Sequence, residues 1–480
     1  MRLAHHLKPA FAVPGDDLHE PYLELAERDE LVRTNREDTA AYAAIGAAEV
    51  SNEPAALLAT RGPGLAHALP GLACALADHV PILCITGEPL DQGFQSLLPS
   101  LESNRARLTV TRDPREAARA LARSQPAVLT RPQTPDELEP HLRETRPPQP
   151  TDGEIEEVRR RLQGRKVALL VGRGCYRARA TEHLERLAER LNAPIVQTMR
   201  GRGVVPEYHP RNYGVVGLRG WANHVLREAD VILALGARLT ERTLPEEPDA
   251  EIIAVTLHLN GPADLHLECD PAPLLRALLK QPPETRPWRP ERREPDEPDL
   301  HAYRVVKTAL RAWIGPVTLD SGQHTPLALL AARLSAPNEL IHSGAFCPVG
   351  FALPAALGAA TRTPEPVLAI TGDGGFLATH HELETVVRED LPVTVLVLRN
   401  RELGFTRQTA GLDDPEPAGM DLPTDPADLA EAYGTEVHRL ERDRTDELHR
   451  ILRDAEMQRE PTVIVVELPR EDVPLPDRPG

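Results

Sequence analysis

The sequence predicts an α/β fold of three doubly wound parallel-sheet domains, on two observations. Short aliphatic and β-branched runs alternate with longer helix-compatible runs along the chain, the order that gives parallel sheets covered by helices on both faces. Two stretches rich in proline and charge, 143–153 and 281–299, interrupt the alternation. Proline lacks the amide donor that a helix or central strand needs, so both read as exposed linkers. They cut the 480 residues into domains at 1–145, 154–282 and 300–480, a size suited to separate cores of roughly 100–200 residues.

Taken in order, residues 55–59 and 80–85 of the first domain read as strands, with a helix over 71–78 between them. In the second, a strand at 167–171 leads into a helix over 180–191, followed by strands at 194–198, 231–235 and 252–255. In the third, strands at 366–370 and 393–398 flank a helical stretch, and 463–468 closes the sheet.

Composition excludes some classes of function. Basic residues number 55 and acidic residues 73, a net charge of −18, the wrong sign for nucleic acid or an anionic membrane as main partner. Only four lysines occur (Lys8, Lys166, Lys280, Lys307), so the surface is one of arginine and carboxylate. Cys74, Cys84, Cys175, Cys269 and Cys347 show no metal-ligand spacing and read as small buried side chains of a reducing compartment. No apolar run reaches the ~18 residues that span a bilayer, and residues 1–14 lack the order of a signal peptide. The expected setting is cytoplasmic.

The sharpest signal is Gly372-Asp-Gly374, followed after 25 residues by Asn400. Asp373 comes just past one apolar strand and Asn400 just past the next. A strand, a crossover helix and a parallel strand bring both to one carboxyl edge, where doubly wound sheets bind ligands. A carboxylate and an amide oxygen suit Mg²⁺, which takes few protein oxygens. Gly374 and Gly375 let backbone amides approach an anion at the following helix start. A pair of tight turns after two strands is the plainer alternative.

This spacing, with Ile370-Thr-Gly-Asp-Gly-Gly-Phe376 and Asn400-Arg-Glu-Leu-Gly-Phe405 around it, resembles the thiamine diphosphate-dependent enzymes, and within them the acetolactate synthase-like branch. The resemblance implies pyrimidine-binding, middle Rossmann-like and diphosphate-binding domains in that order. It implies Mg²⁺ held by Asp373, Asn400 and the backbone carbonyl of Glu402, with Gly372, Gly374, Gly375 and Gly404 around the cofactor. Leu319-Asp-Ser-Gly-Gln-His-Thr325 is similar to the segment whose Gln-His pair, here Gln323 and His324, helps hold the diphosphate. Ser343-Gly-Ala-Phe-Cys-Pro-Val-Gly350 resembles the glycine-rich entry to a long helix. Val349 there takes the place of the apolar wedge that bends the cofactor, where a larger residue is usual.

Thiamine chemistry also needs a carboxylate on the aminopyrimidine, so that the exocyclic nitrogen can take the thiazolium C2 proton. Leu31-Val-Arg-Thr-Asn-Arg-Glu37 and the alanine-rich run to Gly46 resemble the family's strand, glutamate and helix, which makes Glu37 the activator. The alternative is that Glu37 and Asp38 only complement the helix's positive end. Val13-Pro-Gly-Asp16 resembles the family's opening turn. Arg61-Gly-Pro-Gly64, with Asp78 and Ile85-Thr-Gly87 after it, resembles the block that follows. His67 stands where asparagine is common, Arg61 where serine is common, and Asn35-Arg36 replaces a usual histidine.

In the middle domain, Gly172-Arg-Gly174 lacks the third glycine of a dinucleotide fingerprint, and tight strand-to-helix turning is the better reading. Some members carry a structural FAD there. Arg219, Arg238 and Arg242 are placed either to meet its phosphates or to form exposed ion pairs, so FAD stays open.

By resemblance the substrate is a 2-oxo acid, and the active unit is a homodimer or homotetramer in which Glu37 of one subunit faces the diphosphate domain of another. A regulatory small subunit is compatible with it. Thr409 replaces the tryptophan that acetolactate synthases carry after the glutamine matching Gln408. The segment Gly93-Phe-Gln-Ser96 loses an acidic residue. The histidine pairs His5-His6 and His380-His381 read as solvent-facing. Carboligation of pyruvate to acetolactate is the leading expectation. Non-ligating 2-oxo acid decarboxylation comes next, then a catalytically idle cofactor-binding paralogue.

Overall fold

The computed structural model describes residues 7–88, 102–103, 106–130, 138–218, 221–244, 248–414, 416–442 and 444–474. His5-His6, residues 93–96 and Arg219 lie outside them.

Three six-stranded sheets are present, every pairing within them parallel. The first contains β1 (Ala10–Ala12), β2 (Leu31–Arg33), β3 (Ala55–Leu58), β4 (Ile82–Thr86), β5 (Thr109–Thr111) and β6 (Ala127–Thr130), in the order β2-β1-β3-β4-β6-β5. The second contains β7 (Val167–Val171), β8 (Ile195–Gln197), β9 (Asn212–Val215), β10 (Val231–Leu235), β11 (Glu251–Val255) and β12 (Leu265–Leu267), ordered β9-β8-β7-β10-β11-β12. That is the dinucleotide-fold order. The third contains β13 (Val317–Leu319), β14 (Leu340–His342), β15 (Val367–Gly372), β16 (Val393–Arg399), β17 (Glu436–Glu441) and β18 (Thr462–Glu467), ordered β14-β13-β15-β16-β18-β17. The first and third sheets therefore share one winding. They belong to a single compact unit, and the second sheet to another.

The helices that matter to the site are α1 (Glu37–Ser51), α2 (Pro63–Asp78), α3 (His324–Ala331), α4 (Ala352–Ala360), α5 (Asp373–Thr379), α6 (Leu383–Arg388) and α7 (Gly404–Ala410). Every residue of α1 from Thr39 to Val50 is buried, and so is all of α4. A helix apolar all round belongs inside a core, and these two meet each other there. A Cβ at Gly46 would overlap the Ala355 carbonyl, and one at Gly358 would overlap that of Ala43. The alanine-rich sequences thus let two backbones touch, joining the first and third sheets in one hydrophobic core.

Three expectations need correction. The helix expected over 71–78 begins at Pro63, because proline in the first turn removes a donor that has no partner anyway, and Pro70 is accommodated inside it. Residues 281–299 do lack regular structure, but they are strapped down rather than free. Trp288 Nε1 donates to Val167 O (3.0 Å), Arg286 N to Arg165 O (2.8 Å), and Trp221 Nε1 to Arg293 O (2.8 Å). His380 and His381 are half-buried rather than solvent-facing. They form a turn between α5 and α6, His380 lies against Phe376 and Tyr433, and burial lowers the pKa of both rings. Four of the cysteines are buried as expected, Cys347 partly so.

The helix crossing makes a stability prediction. Gly358→Ala should lower unfolding free energy by about 3 kcal/mol, the upper part of the range for overpacked cores, read as a lower denaturant midpoint at unchanged slope. Gly153→Ala, whose Cβ would meet nothing within 4 Å, should be neutral in the same assay.

Candidate cofactor and active site

Because β13, β15 and β16 are neighbours, their carboxyl ends deliver three segments to one edge. Asp320, Gln323 and His324 follow β13; Asp373 follows β15; Asn400 follows β16. Asp373 and Asn400 thus stand at the edge where a strand-helix-strand crossover puts them, and the two segments are tied directly: Arg401 N donates to Asp373 Oδ2 at 2.7 Å. Arg401 holds a left-handed φ of 62°. That conformation costs a non-glycine residue energy and turns the chain so that Glu402 N donates to Asn400 Oδ1 (3.3 Å).

Asp373 is 2% exposed, and burial pushes its carboxyl up to about 7. Desolvation here outweighs the backbone hydrogen bonds and the Arg399 charge that oppose it, so a metal at this position would relieve it. Glu402 points its side chain elsewhere: its carboxylate is paired with Arg407 Nε at 2.9 Å and is fully buried. Only its backbone is left for a ligand. Among the described residues, no group of three or more His, Cys, Asp or Glu is gathered as an all-protein metal cage. The donor set on offer is one carboxylate, one amide and one carbonyl.

The diphosphate expectation divides between its two residues. Gln323 Nε2 donates to Gln408 Oε1 and to Glu471 O, both at 3.0 Å, and its Oε1 accepts from Asn400 Nδ2 at 3.2 Å. Both amide hydrogens are engaged, so Gln323 orients Asn400 here. His324 is different. Its ring is buried, its Nε2 has no hydrogen-bond partner, and burial lowers its pKa to about 4. An orphaned buried nitrogen needs an explanation, and a polar ligand at this edge supplies one. Gly404 completes the cradle, since a Cβ there would overlap Gln323 Oε1 and crowd Asn400 Nδ2.

Two acids to which the sequence assigned no role hold the loop before α4. Asp320, fully buried, accepts from Ser321 N (2.7 Å), Gly350 N (2.8 Å) and Thr371 Oγ1 (3.0 Å). Asp78 reaches across from α2 to accept from Ser343 Oγ (2.6 Å), Gly344 N (3.1 Å) and Ala345 N (3.0 Å). Held from both ends, the loop presents Val349, 55% exposed, beside exposed Phe346; Leu403 and Phe405 after β16 are also exposed.

Glu37 is the first residue of α1, at the carboxyl end of β2. Asp38 bonds locally, its Oδ1 accepting from Thr39 N and Arg36 Nε, both at 2.9 Å. Glu37 instead lies 3.3 Å from His67 Nδ1 through its Oε2, over Gly64. The substituted Asn35 faces the turn before α6, where Nδ2 donates to His381 O at 3.0 Å. Thr409, in place of tryptophan, bonds back to Phe405 O at 2.9 Å and adds no bulk beyond α7.

In the second unit, a Cβ on Gly172 or Gly174 would overlap the Gly236 backbone. Close turn packing accounts for both glycines, and nothing in their geometry calls for a flavin.

Comparison with known proteins agrees with this architecture. Three thiamine pyrophosphate enzyme domain models match: the N-terminal TPP binding domain over residues 3–112, the central domain over 155–278 and the C-terminal TPP binding domain over 320–466. A probable acetolactate synthase large subunit of Methanocaldococcus jannaschii is 28% identical, over 98% of this chain and 91% of the relative. The acetolactate synthase isozyme 3 large subunit of Escherichia coli is 28% identical, over 89% and 86%. Among solved structures, benzoylformate decarboxylase from Polynucleobacter necessarius superposes with a TM-score of 0.77 at 23% identity, covering 98% of this chain and 97% of that one. That likeness concerns the fold.

The depressed His324 pKa predicts a pH effect. Between pH 6.5 and 4 the unfolded ring binds a proton that the folded ring refuses, so stability falls as pH falls. His324→Gln should remove about 3 kcal/mol of that loss, measured by chemical denaturation of both proteins at pH 6.5 and 4.

Proposed function

The chain belongs to the thiamine pyrophosphate enzyme family, and from that premise we propose that it decarboxylates a 2-oxo acid, pyruvate foremost, and transfers the remaining fragment to a carbonyl acceptor as an acetolactate synthase does. The observation that carries the reading is the convergence of Asp373, Asn400 and the orphaned His324 nitrogen on the carboxyl ends of three adjacent strands. The full-length similarity to acetolactate synthase large subunits supports the choice of reaction.

Bound thiamine diphosphate supplies a nucleophilic thiazolium carbon and an acceptor for the electron pair released with CO₂. In this reading Asp373, Asn400 Oδ1 and the Glu402 carbonyl would hold Mg²⁺ beside the diphosphate. His324 Nε2 and the Gly375 amide would meet its remaining oxygens, the Gly374 amide donating instead to Asp373 Oδ1 at 3.1 Å. Gln323 fixes the rotamer of Asn400, and Val349 supports the bend of the cofactor. Glu37 would hold a proton between its carboxylate and the pyrimidine ring nitrogen, with His67, 3.3 Å away, orienting that carboxylate. Phe346, Val349, Leu403 and Phe405 are apolar and exposed in a single chain, which suits cover by a second copy. We therefore read a homodimer as the active unit.

Thr409 favours a second reading. A side chain folded back on its own helix shapes no acceptor pocket, which suits a decarboxylase whose acceptor is a proton. The two are separated by incubating the protein with pyruvate, thiamine diphosphate and Mg²⁺, then measuring CO₂ and the acetoin that appears on acid treatment. Acid-dependent acetoin is the expected result; CO₂ alone selects the decarboxylase. Glu37→Gln should lower either rate by about a hundredfold or more, and an unchanged rate would remove Glu37 from the mechanism.

A further inference from the structure

Glu382 is a carboxylate with no exposed surface, placed by the turn between α5 and α6 of the third sheet's layer. Its partners come largely from the first sheet. Oε1 accepts from Asn35 N (3.0 Å) and from Thr39 Oγ1 (2.6 Å), while Oε2 accepts from Thr385 Oγ1 (2.8 Å). Asn35 and Thr39 bracket Glu37. The helix between them has no side-chain cap of its own from Arg36, so Glu382 binds the turn from outside. Neighbouring bonds act in the same direction. Arg33 pairs with Glu384 at 2.6 Å, Asn35 Nδ2 reaches His381 O and Thr385 Oγ1, and Arg388 donates to Arg33 O. Burying a carboxylate is costly unless its hydrogen bonds are made, and here three are made, two of them across the join between β2 and α1.

We propose that Glu382 is a positioning residue for Glu37: it fixes the β2-to-α1 turn so that the Glu37 carboxylate is held at one place and angle, with His67 steadying its far side. This rests on the reading of Glu37 as activator. Glu382→Gln keeps an acceptor oxygen for Asn35 and Thr39 and turns an amide hydrogen to Thr385, whereas Glu382→Ala leaves Asn35 N and Thr385 Oγ1 without that acceptor and Thr39 Oγ1 with only the Arg36 carbonyl of its own turn (2.8 Å). The positioning role therefore predicts rescue by glutamine.

Two readouts test it. In protein without cofactor, hydrogen–deuterium exchange of the backbone amides over residues 34–40 should accelerate by about tenfold or more in Glu382→Ala and by less than about threefold in Glu382→Gln. In protein loaded with thiamine diphosphate and Mg²⁺, proton exchange at the cofactor's C2, followed by NMR after acid quench, should slow by about tenfold or more in Glu382→Ala. Cofactor affinity should stay within about threefold. If Glu382→Ala does not fold, Thr39→Val removes one donor from the same carboxylate, and both exchange rates should move in the same directions. Unchanged exchange in Glu382→Ala, or equal loss in Glu382→Gln and Glu382→Ala, overturns the proposal. Glu37→Gln separates the two ideas. If it leaves C2 exchange intact, the activator reading fails; if it stops that exchange while Glu382→Ala does not, only the positioning role fails.

Discussion

The contact on which the site depends is the crossing of α1 and α4, where Gly46 and Gly358 let two helix backbones touch. Alanine-rich helices bury little area per residue, so their attraction comes from close approach and many small contacts. That crossing places the amino end of α1, with Glu37, and the loop before α4, with Val349, in one rigid frame. It also brings Asp78 and Glu382 to partners on the opposite sheet layer.

Around that crossing the molecule uses buried carboxylates as anchors for backbone. Asp320, Asp78 and Glu382 each accept three or more hydrogen bonds. Such groups stabilise only while every donor stays in place, so each acts as a check on local geometry. Burial raises the carboxyl of Asp373 to about 7, and it raises those of Asp320 and Glu382 as well; Asp373 differs in standing at the strand-end edge, where a cation would offset that cost. His324 is the matching donor side, a buried ring with one nitrogen unsatisfied. His324 and Asp373 lie on neighbouring strand ends, where an anion would meet the unsatisfied ring nitrogen and a metal the desolvated carboxyl.

Much of this was legible in the sequence, for physical reasons. Fully buried parallel strands must be continuous apolar runs, so 167–171, 231–235 and 393–398 declared themselves. The Asp373 and Asn400 juxtaposition followed from the crossover alone. Asp78 and Asp320 were visible as letters in quoted segments, but their partners lie more than two hundred and about thirty residues away respectively, and no local pattern marks an acid as buried. The solvent-facing reading of His380 and His381 failed for the same reason: the face that Tyr433 covers is set by tertiary packing. The extent of α2 was hidden by Pro63 and Pro70, which read as breakers unless the first falls in the opening turn.

The most direct test of the central claim is calorimetric titration of the protein with thiamine diphosphate, with and without Mg²⁺, for the native chain and for Asp373→Asn. The account predicts saturable binding that weakens by about tenfold or more, roughly 1.4 kcal/mol, when either Mg²⁺ or the Asp373 carboxylate is removed. It also predicts that Asp373→Asn makes binding indifferent to the metal. Equal affinity in all four titrations would contradict a metal-bridged diphosphate at this edge.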